Sequence, residues 1–373
     1  GSDKNGLVVS GGKGFLTGID LSGNSTLVLQ DNVAITNGPD YPGAGVVLAT
    51  NNSPIIDGNF IGVDRNYAKA GNDWIGMWVK AGSSGATITD NVFGDNGLGS
   101  NFSHGLSVVG NSNVSIEDNY FGISPTGADI GNGHNGVEIN ASSNVTVTGN
   151  FAGYNKGLRE AHASGGFAIV NTSSLVTLSN NQSISNLGSG IHIEQSNTIT
   201  IGGNTIHDNN YYGIRVGGNG MNAGTSNGVN AQNNSLYCNV LGGIKLMSSG
   251  DNSTVQGLTP TPTVNSPGVN PDDSDISGDP WIFRGSAPTG TTLDIYAMGS
   301  CGTCSAETQQ GKTWLSSLIV TGTTWEYQVP ANSIGNGLTV TATESVKNET
   351  SQFSECVTLP PPPCTQPTPS LVL

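Results

Sequence analysis

The sequence predicts an all-β chain: a right-handed parallel β-helix of about eight or nine coils over residues 1–257, a small antiparallel β-sandwich over 258–358 and a proline-rich linker over 359–373. Two repeats predict the helix. A glycine followed by an alternating strand recurs at Gly45, Gly76, Gly105, Gly136, Gly166, Gly190, Gly213 and Gly243, at separations of 31, 29, 31, 30, 24, 23 and 30 residues. Between the glycines lie short strands such as "TITDNVFG" (87–94), "SIEDNYFG" (115–122) and "TITIGGNTI" (198–206), each carrying one asparagine of the series Asn32, Asn59, Asn91, Asn119, Asn150, Asn181, Asn204 and Asn234.

Strands of four or five residues cannot bury a face alone, but stacked one coil upon the next they can, and the handedness of parallel crossovers makes the winding right-handed. An asparagine at one repeated corner tolerates left-handed backbone and can bond its amide to the copies above and below. The composition agrees: 55 glycines in 373 residues and only 10% Asp, Glu, Lys and Arg do not make a helical protein. Near residue 258 the repeat stops at "LTPTPTVNSPGVNPDDSD". Beyond it "TTLDIYAM", "KTWLSSLIV", "TTWEYQVP" and "LTVTATES" read as strands of an antiparallel, Ig-like sandwich. The closing "LPPPPCTQPTPSLVL" reads as an extended tether to further domains of a larger parent protein.

A net charge of −15 argues against nucleic acid and anionic membrane surfaces as partners. No apolar run is long enough to insert in a membrane. Five cysteines and an Asn/Ser/Thr-rich surface suit an oxidising, secreted or cell-surface location. Cys301, Cys304, Cys356 and Cys364 are expected as two disulfides in one of three pairings, because the Cys356 to Cys364 spacing is poor for zinc; Cys238 reads as a buried thiol. No metal or other cofactor is expected.

"NYFGISPTGADIGNGHNGVEI" (119–139) and, more loosely, "NFIGVDRNYAKAGNDWIGMWV" (59–79) resemble the repeat of bacterial secreted right-handed parallel β-helix proteins of the pectate-lyase-like fold. "CGTCSAETQQGKTWL" onward to Cys356 resembles a module that follows such helices in surface proteins of the Bacteroidetes type. The first resemblance implies either a polysaccharide lyase or hydrolase or a large surface protein without catalysis. The signature motifs of pectate lyases and polygalacturonases are absent, and "GNGHNG" (131–136) reads as a repeat corner.

In a parallel β-helix, equivalent positions form columns. The middle residue of each glycine-led strand should point outward, giving Val47, Trp78, Ser107, Glu138, Ala168, His192, Arg215 and Lys245; the next outward column includes Lys80, Asn140 and Glu194. The candidate catalytic set is therefore Glu138, His192, Glu194, Arg215 and Lys245. A uronate lyase needs a cation, a base and an acid. Arg215 with His192 or Lys245, and a tyrosine from Tyr154, Tyr211 or Tyr212, would supply them. A hydrolase needs two carboxyls, Glu138 with Glu194 or Glu194 with Asp208. Trp78 offers a stacking platform, and Lys80, Tyr154, Arg159, Glu160 and Tyr212 complete the expected substrate contacts, several from the loop "GYNKGLREAH" (153–162). Against this stand simpler roles: Glu194 and Arg215 as a cross-strand ion pair, and His207-Asp208 as a solvated turn. The expected function is a carbohydrate-active protein that binds a polysaccharide, anionic ones included, and as an enzyme cleaves it; the alternative is a non-catalytic stalk or adhesin segment.

Overall fold

A computed structural model of the chain describes residues 17–23, 27–34, 43–97, 103–157, 165–218, 225–247, 251–252, 263–264, 281–298, 309–329 and 337–358. Among the described residues every regular element is a strand. Three parallel sheets wind together: nine strands from Thr17–Ser22 to Gly242–Leu246, eight from Val28–Gln30 to Val229–Gln232, and eight from Val33–Ala34 to Ser235–Tyr237. Each strand pairs with its own copy in neighbouring coils, as Leu106 does with Met77 and Val137. The inward residues, such as Ile56, Ile88, Ile116, Val147, Leu178 and Ile201, form one continuous apolar core. Phe93 stacks on Phe121 at 4.8 Å within it.

The asparagine series is a hydrogen-bonded ladder. The Asn91 main-chain N–H and Nδ2 both donate to Asn119 Oδ1 at 2.9 Å, and Nδ2 also donates to the carbonyls of Ile56 and Thr89. The left-handed backbone expected at these asparagines falls instead on the residue before each: Asp31, Gly58, Asp90, Asp118, Gly149, Asn180, Gly203 and Asn233 all have φ between 54° and 70°. Asp, Asn and Gly tolerate that region best, which explains their use there.

A second, unforeseen ladder runs along another corner through Asn72, Asn96, Asn132, Asn155, Asn186, Asn209 and Asn239. It accounts for the glycine repeat. A Cβ on Gly105 would lie 2.7 Å from the Gly136 carbonyl oxygen and 2.9 Å from Asn132 Nδ2, so the strand can approach the ladder only without a side chain.

The described residues between 263 and 358 form two antiparallel sheets, the strand Thr263–Val264 pairing with Trp281–Ser286, and in their shared core Phe283 and Trp325 pack with Leu293, Ile295, Leu338 and Val340. They close the end of the solenoid. Gly311 bridges Leu236 beyond the last third-sheet strand, and Thr350 Oγ1 accepts from the Ala231 N–H at 2.8 Å beyond the last second-sheet strand. Tyr296 and Phe353 complete the apolar core of the helix itself. Such closure removes strand edges that would otherwise template aggregation. Gln310 ends the second ladder: its Oε1 accepts from the Asn239 N–H at 2.9 Å, and its Nε2 donates to the Asn239 carbonyl at 3.1 Å. Gln310→Ala would leave buried groups unpaired and is expected to cost about 1–3 kcal/mol in urea denaturation.

Cys356 is disulfide-bonded, and so is Cys238, which is therefore not the thiol read from the sequence. Cys238 directly follows the strand Ser235–Tyr237, whose Leu236 bridges Gly311 of the C-terminal region. Cys301, Cys304 and Cys364 lie outside the described residues, as do Arg159, Glu160 and His162 of the 153–162 loop.

Candidate functional site

The strand registers align Trp78, Ser107, Glu138, Ala168, His192, Arg215 and Lys245 across the first sheet, one residue per coil. At about 4.8 Å per coil the row is about 29 Å long. Their alternation with the core residues turns them outward, but outward does not mean solvated. His192 is 1% and Arg215 4% exposed, and Val47, Ser107 and Ala168 are buried as well. The open polar groove expected from the sequence is thus largely a covered layer. Trp78, Lys80, Glu194, Tyr212 and Lys245 remain partly exposed at its margins.

The layer contains three groups. At the N-terminal end Trp74 meets Trp78 edge-on at 5.2 Å, and Lys80 Nζ lies 4.2 Å from the Trp78 ring centre. One face of Trp78 is thereby occupied by a cation rather than left open for a sugar.

In the middle, Glu138 Oε2 pairs closely with His104 Nε2, and Glu138 Oε1 accepts from Asn140 Nδ2 at 2.7 Å. The His134 ring packs edge-on against His104 at 5.2 Å. Burial by itself raises the Glu138 carboxyl, but the His104 charge, hydrogen bonds from His104 and Asn140, and the His134 charge outweigh it and bring the pKa down to about 2. His104 and His134 precede their strands and were not among the candidates. Their place just ahead of the repeated glycines Gly105 and Gly136 was the available signal.

Toward the C-terminal end, His192 Nε2 is 3.5 Å from Glu194 Oε2, an electrostatic contact too long for a firm hydrogen bond. Burial pushes His192 below the usual histidine range and the Arg215 charge pushes the same way, against Glu194 and Asp251. The imidazole is therefore neutral at neutral pH. Asp251, fully buried and accepting from the Ser226 N–H at 2.8 Å, belongs to this group and was also missed, because it sits past the last repeat. Ala168 lies between the Glu138 and His192 groups, whose strands are two coils or about 10 Å apart. Tyr154 stands at a left-handed corner in the third-sheet loop, with φ 58°.

The sequence comparison agrees with this geometry. Residues 81–259 match the family described as the right handed beta helix region. The matched segment spans the coils that carry Glu138, His192, Arg215 and Lys245. No curated protein matches the chain. Among solved structures, the A-module of a mannuronan C-5 epimerase from Azotobacter vinelandii is similar at 19% identity and a TM-score of 0.41, over 61% of this chain and 57% of that one. The enzymatically active domain of tailspike protein 2 from bacteriophage CBA120 is similar at 10% identity and a TM-score of 0.42, over 89% and 64%. The catalytic domain of a GH87 alpha-1,3-glucanase in complex with nigerose gives 11% identity and a TM-score of 0.30, over 60% and 49%. This chain thus spans less than two thirds of each of these three structures.

Proposed function

We propose that the chain binds a polysaccharide along the outward side of the first sheet, as a secreted or cell-surface protein with further domains. One observation carries this reading. Among the described residues of the solenoid, the buried titratable side chains are Asp95, His104, His134, His192, Arg215 and Asp251, and all but Asp95 gather on this side of one sheet. Burying ionisable groups is costly, and a fold whose other corners are satisfied by neutral amides has no structural need of them.

Of the two reactions, proton abstraction from an acidic sugar fits better than hydrolysis. Glu138, held as an anion down to about pH 2, cannot serve as the general acid a glycosidase needs. His192 is neutral and adjoins the Arg215 cation on the next coil, the pairing of base and charge that a lyase requires. Substrate would enter over the accessible Lys245, Tyr212 and Glu194. The near-complete burial of His192 and Arg215 favours a second reading, in which the face is a sealed part of a non-catalytic stalk.

A panel of anionic and neutral polysaccharides separates them. Affinity electrophoresis should show retardation by at least one anionic polymer, weakened about tenfold by Lys245→Ala through loss of a charge-assisted contact. Ultraviolet absorbance of unsaturated uronate and a reducing-end assay report turnover, which Arg215→Ala should abolish. Absence of retardation and of turnover across the panel would leave the stalk.

A further inference from the structure

His207 and Asp208, expected as a solvated turn, stand at an exposed corner of the third sheet, where Asp208 has φ 56°, and carry a further arrangement there. His207 ends the strand Thr205–His207, and its ring stacks on Tyr237 one coil further at 4.6 Å and 6° between planes. Its Nδ1 is 2.7 Å from Asp208 Oδ2. Lys312, which follows the Gly311 bridge to the last coil, places its Nζ 5.1 Å from the Tyr237 ring centre. The site therefore exists only where the C-terminal sheets close the solenoid. It is accessible: the His207 side chain is 15% and the Asp208 side chain 53% exposed, and Lys312 is exposed too.

The chemistry of the group is specific. With Asp208 accepting from Nδ1–H, the tautomer left to His207 offers Nε2 as a hydrogen-bond acceptor. Tyr237 contributes a phenol that burial, and then Asp208, push above its ordinary range, so it stays a neutral donor. Lys312 contributes a cation. His207 stacked on the Tyr237 ring and Lys312 Nζ over that ring set an acceptor, a neutral donor and a cation on one stack, which match a ligand that presents both a hydroxyl and a carboxylate. A sulfate dianion has no hydrogen to offer Nε2, while a neutral sugar leaves Lys312 unanswered.

We propose that His207, Asp208, Tyr237 and Lys312 form a second ligand site, for a carboxylate-bearing sugar, at the junction of the third sheet and the C-terminal sheets. Lys312 and the Tyr237 hydroxyl hold the carboxylate, His207 Nε2 accepts from a ring hydroxyl, and Asp208 positions the imidazole. The site is separate from the first-sheet face and does not depend on its function.

The full chain, with its histidine side chains followed by nuclear magnetic resonance, is titrated with trimers of galacturonate, mannuronate and glucuronate, with a galactose trimer and with inorganic sulfate. At least one uronate trimer should shift the His207 Nε2 resonance, while the galactose trimer and sulfate leave it in place. Lys312→Met and Tyr237→Phe keep the stem and ring packing; each should raise the apparent Kd about tenfold with no change in Tm, which a merely structural stack would not do. Lys245→Ala should leave the shift intact. The proposal is overturned if no uronate shifts His207, if sulfate shifts it equally, if both conservative variants bind as the wild type does, or if Lys245→Ala removes the response. Failure of polysaccharide binding at the first sheet bears on none of these readouts.

Discussion

Asn150→Ala is expected to destabilise the protein by about 3–5 kcal/mol, among the largest effects available to a single polar substitution. The side chain sits mid-ladder and is fully buried. Its Oδ1 accepts from the Asn119 N–H at 2.9 Å and Asn119 Nδ2 at 3.0 Å, and its Nδ2 donates to the carbonyls of Ile116 and Thr148 and to Asn181 Oδ1. Removing the amide takes the acceptor from the buried Asn119 N–H and one hydrogen bond each from Asn119 Nδ2, Asn181 Oδ1 and the Ile116 and Thr148 carbonyls, across three coils with no route for water; an orphaned donor costs about 1–3 kcal/mol and each further lost bond about 0.5–1.5 kcal/mol before partial relaxation. Asn32→Ala, at a partly exposed end of the same ladder, should cost under about 1 kcal/mol, because water replaces the lost partner. Equilibrium urea unfolding of the two variants checks the contrast; equal losses would mean that the ladder does not act through burial.

The same comparison shows what a sequence can and cannot reveal about this fold. A column of Asn32, Asn59, Asn91 and their successors is legible because the repeat places one amide per coil and the ladder demands that residue type at every rung. The second ladder, through Asn72, Asn96 and Asn132, shares the period but drifts in spacing from the glycines: four residues separate Asn72 from Gly76, nine separate Asn96 from Gly105, and four separate Asn132 from Gly136. Loops of unequal length hide it.

The candidate site was legible to the same degree. Alternation identified the outward row correctly, and the registers confirm every member from Trp78 to Lys245. Alternation reports only which way a side chain points from its sheet, whereas burial depends on what non-repeating segments fold over it. His104, His134 and Asp251 come from such segments. They change the meaning of the row, because Glu138 becomes a paired anion down to about pH 2 and His192 a neutral, enclosed imidazole. Likewise Lys312 is 105 residues beyond His207 in sequence, and only the closing of the last coil by residues 309–312 brings it to Tyr237.

The Glu138 pair gives the second large effect, in the acid dependence of stability. Glu138 titrates at about 2 when folded and at about 4.3 in an unfolded chain. A carboxyl whose pKa is depressed by folding contributes stability that is present above about pH 4.3 and is lost as pH falls toward about 2, here on the order of 3 kcal/mol. Asp95 and Asp294, whose carboxyls burial pushes upward, act in the opposite direction, so the relevant quantity is the difference between wild type and Glu138→Gln. Urea unfolding at intervals between about pH 5 and pH 2 should show the wild type losing on the order of 3 kcal/mol more than Glu138→Gln. His104→Leu should cost about 3–5 kcal/mol at neutral pH, since it strands a buried carboxylate, and should recover part of that loss on acidification as Glu138 takes up a proton. Parallel pH profiles for wild type and Glu138→Gln would show that the pair is not formed as an ion pair. The electrostatic reading of the middle of the face would then give way to a neutral hydrogen bond between His104 and a protonated Glu138.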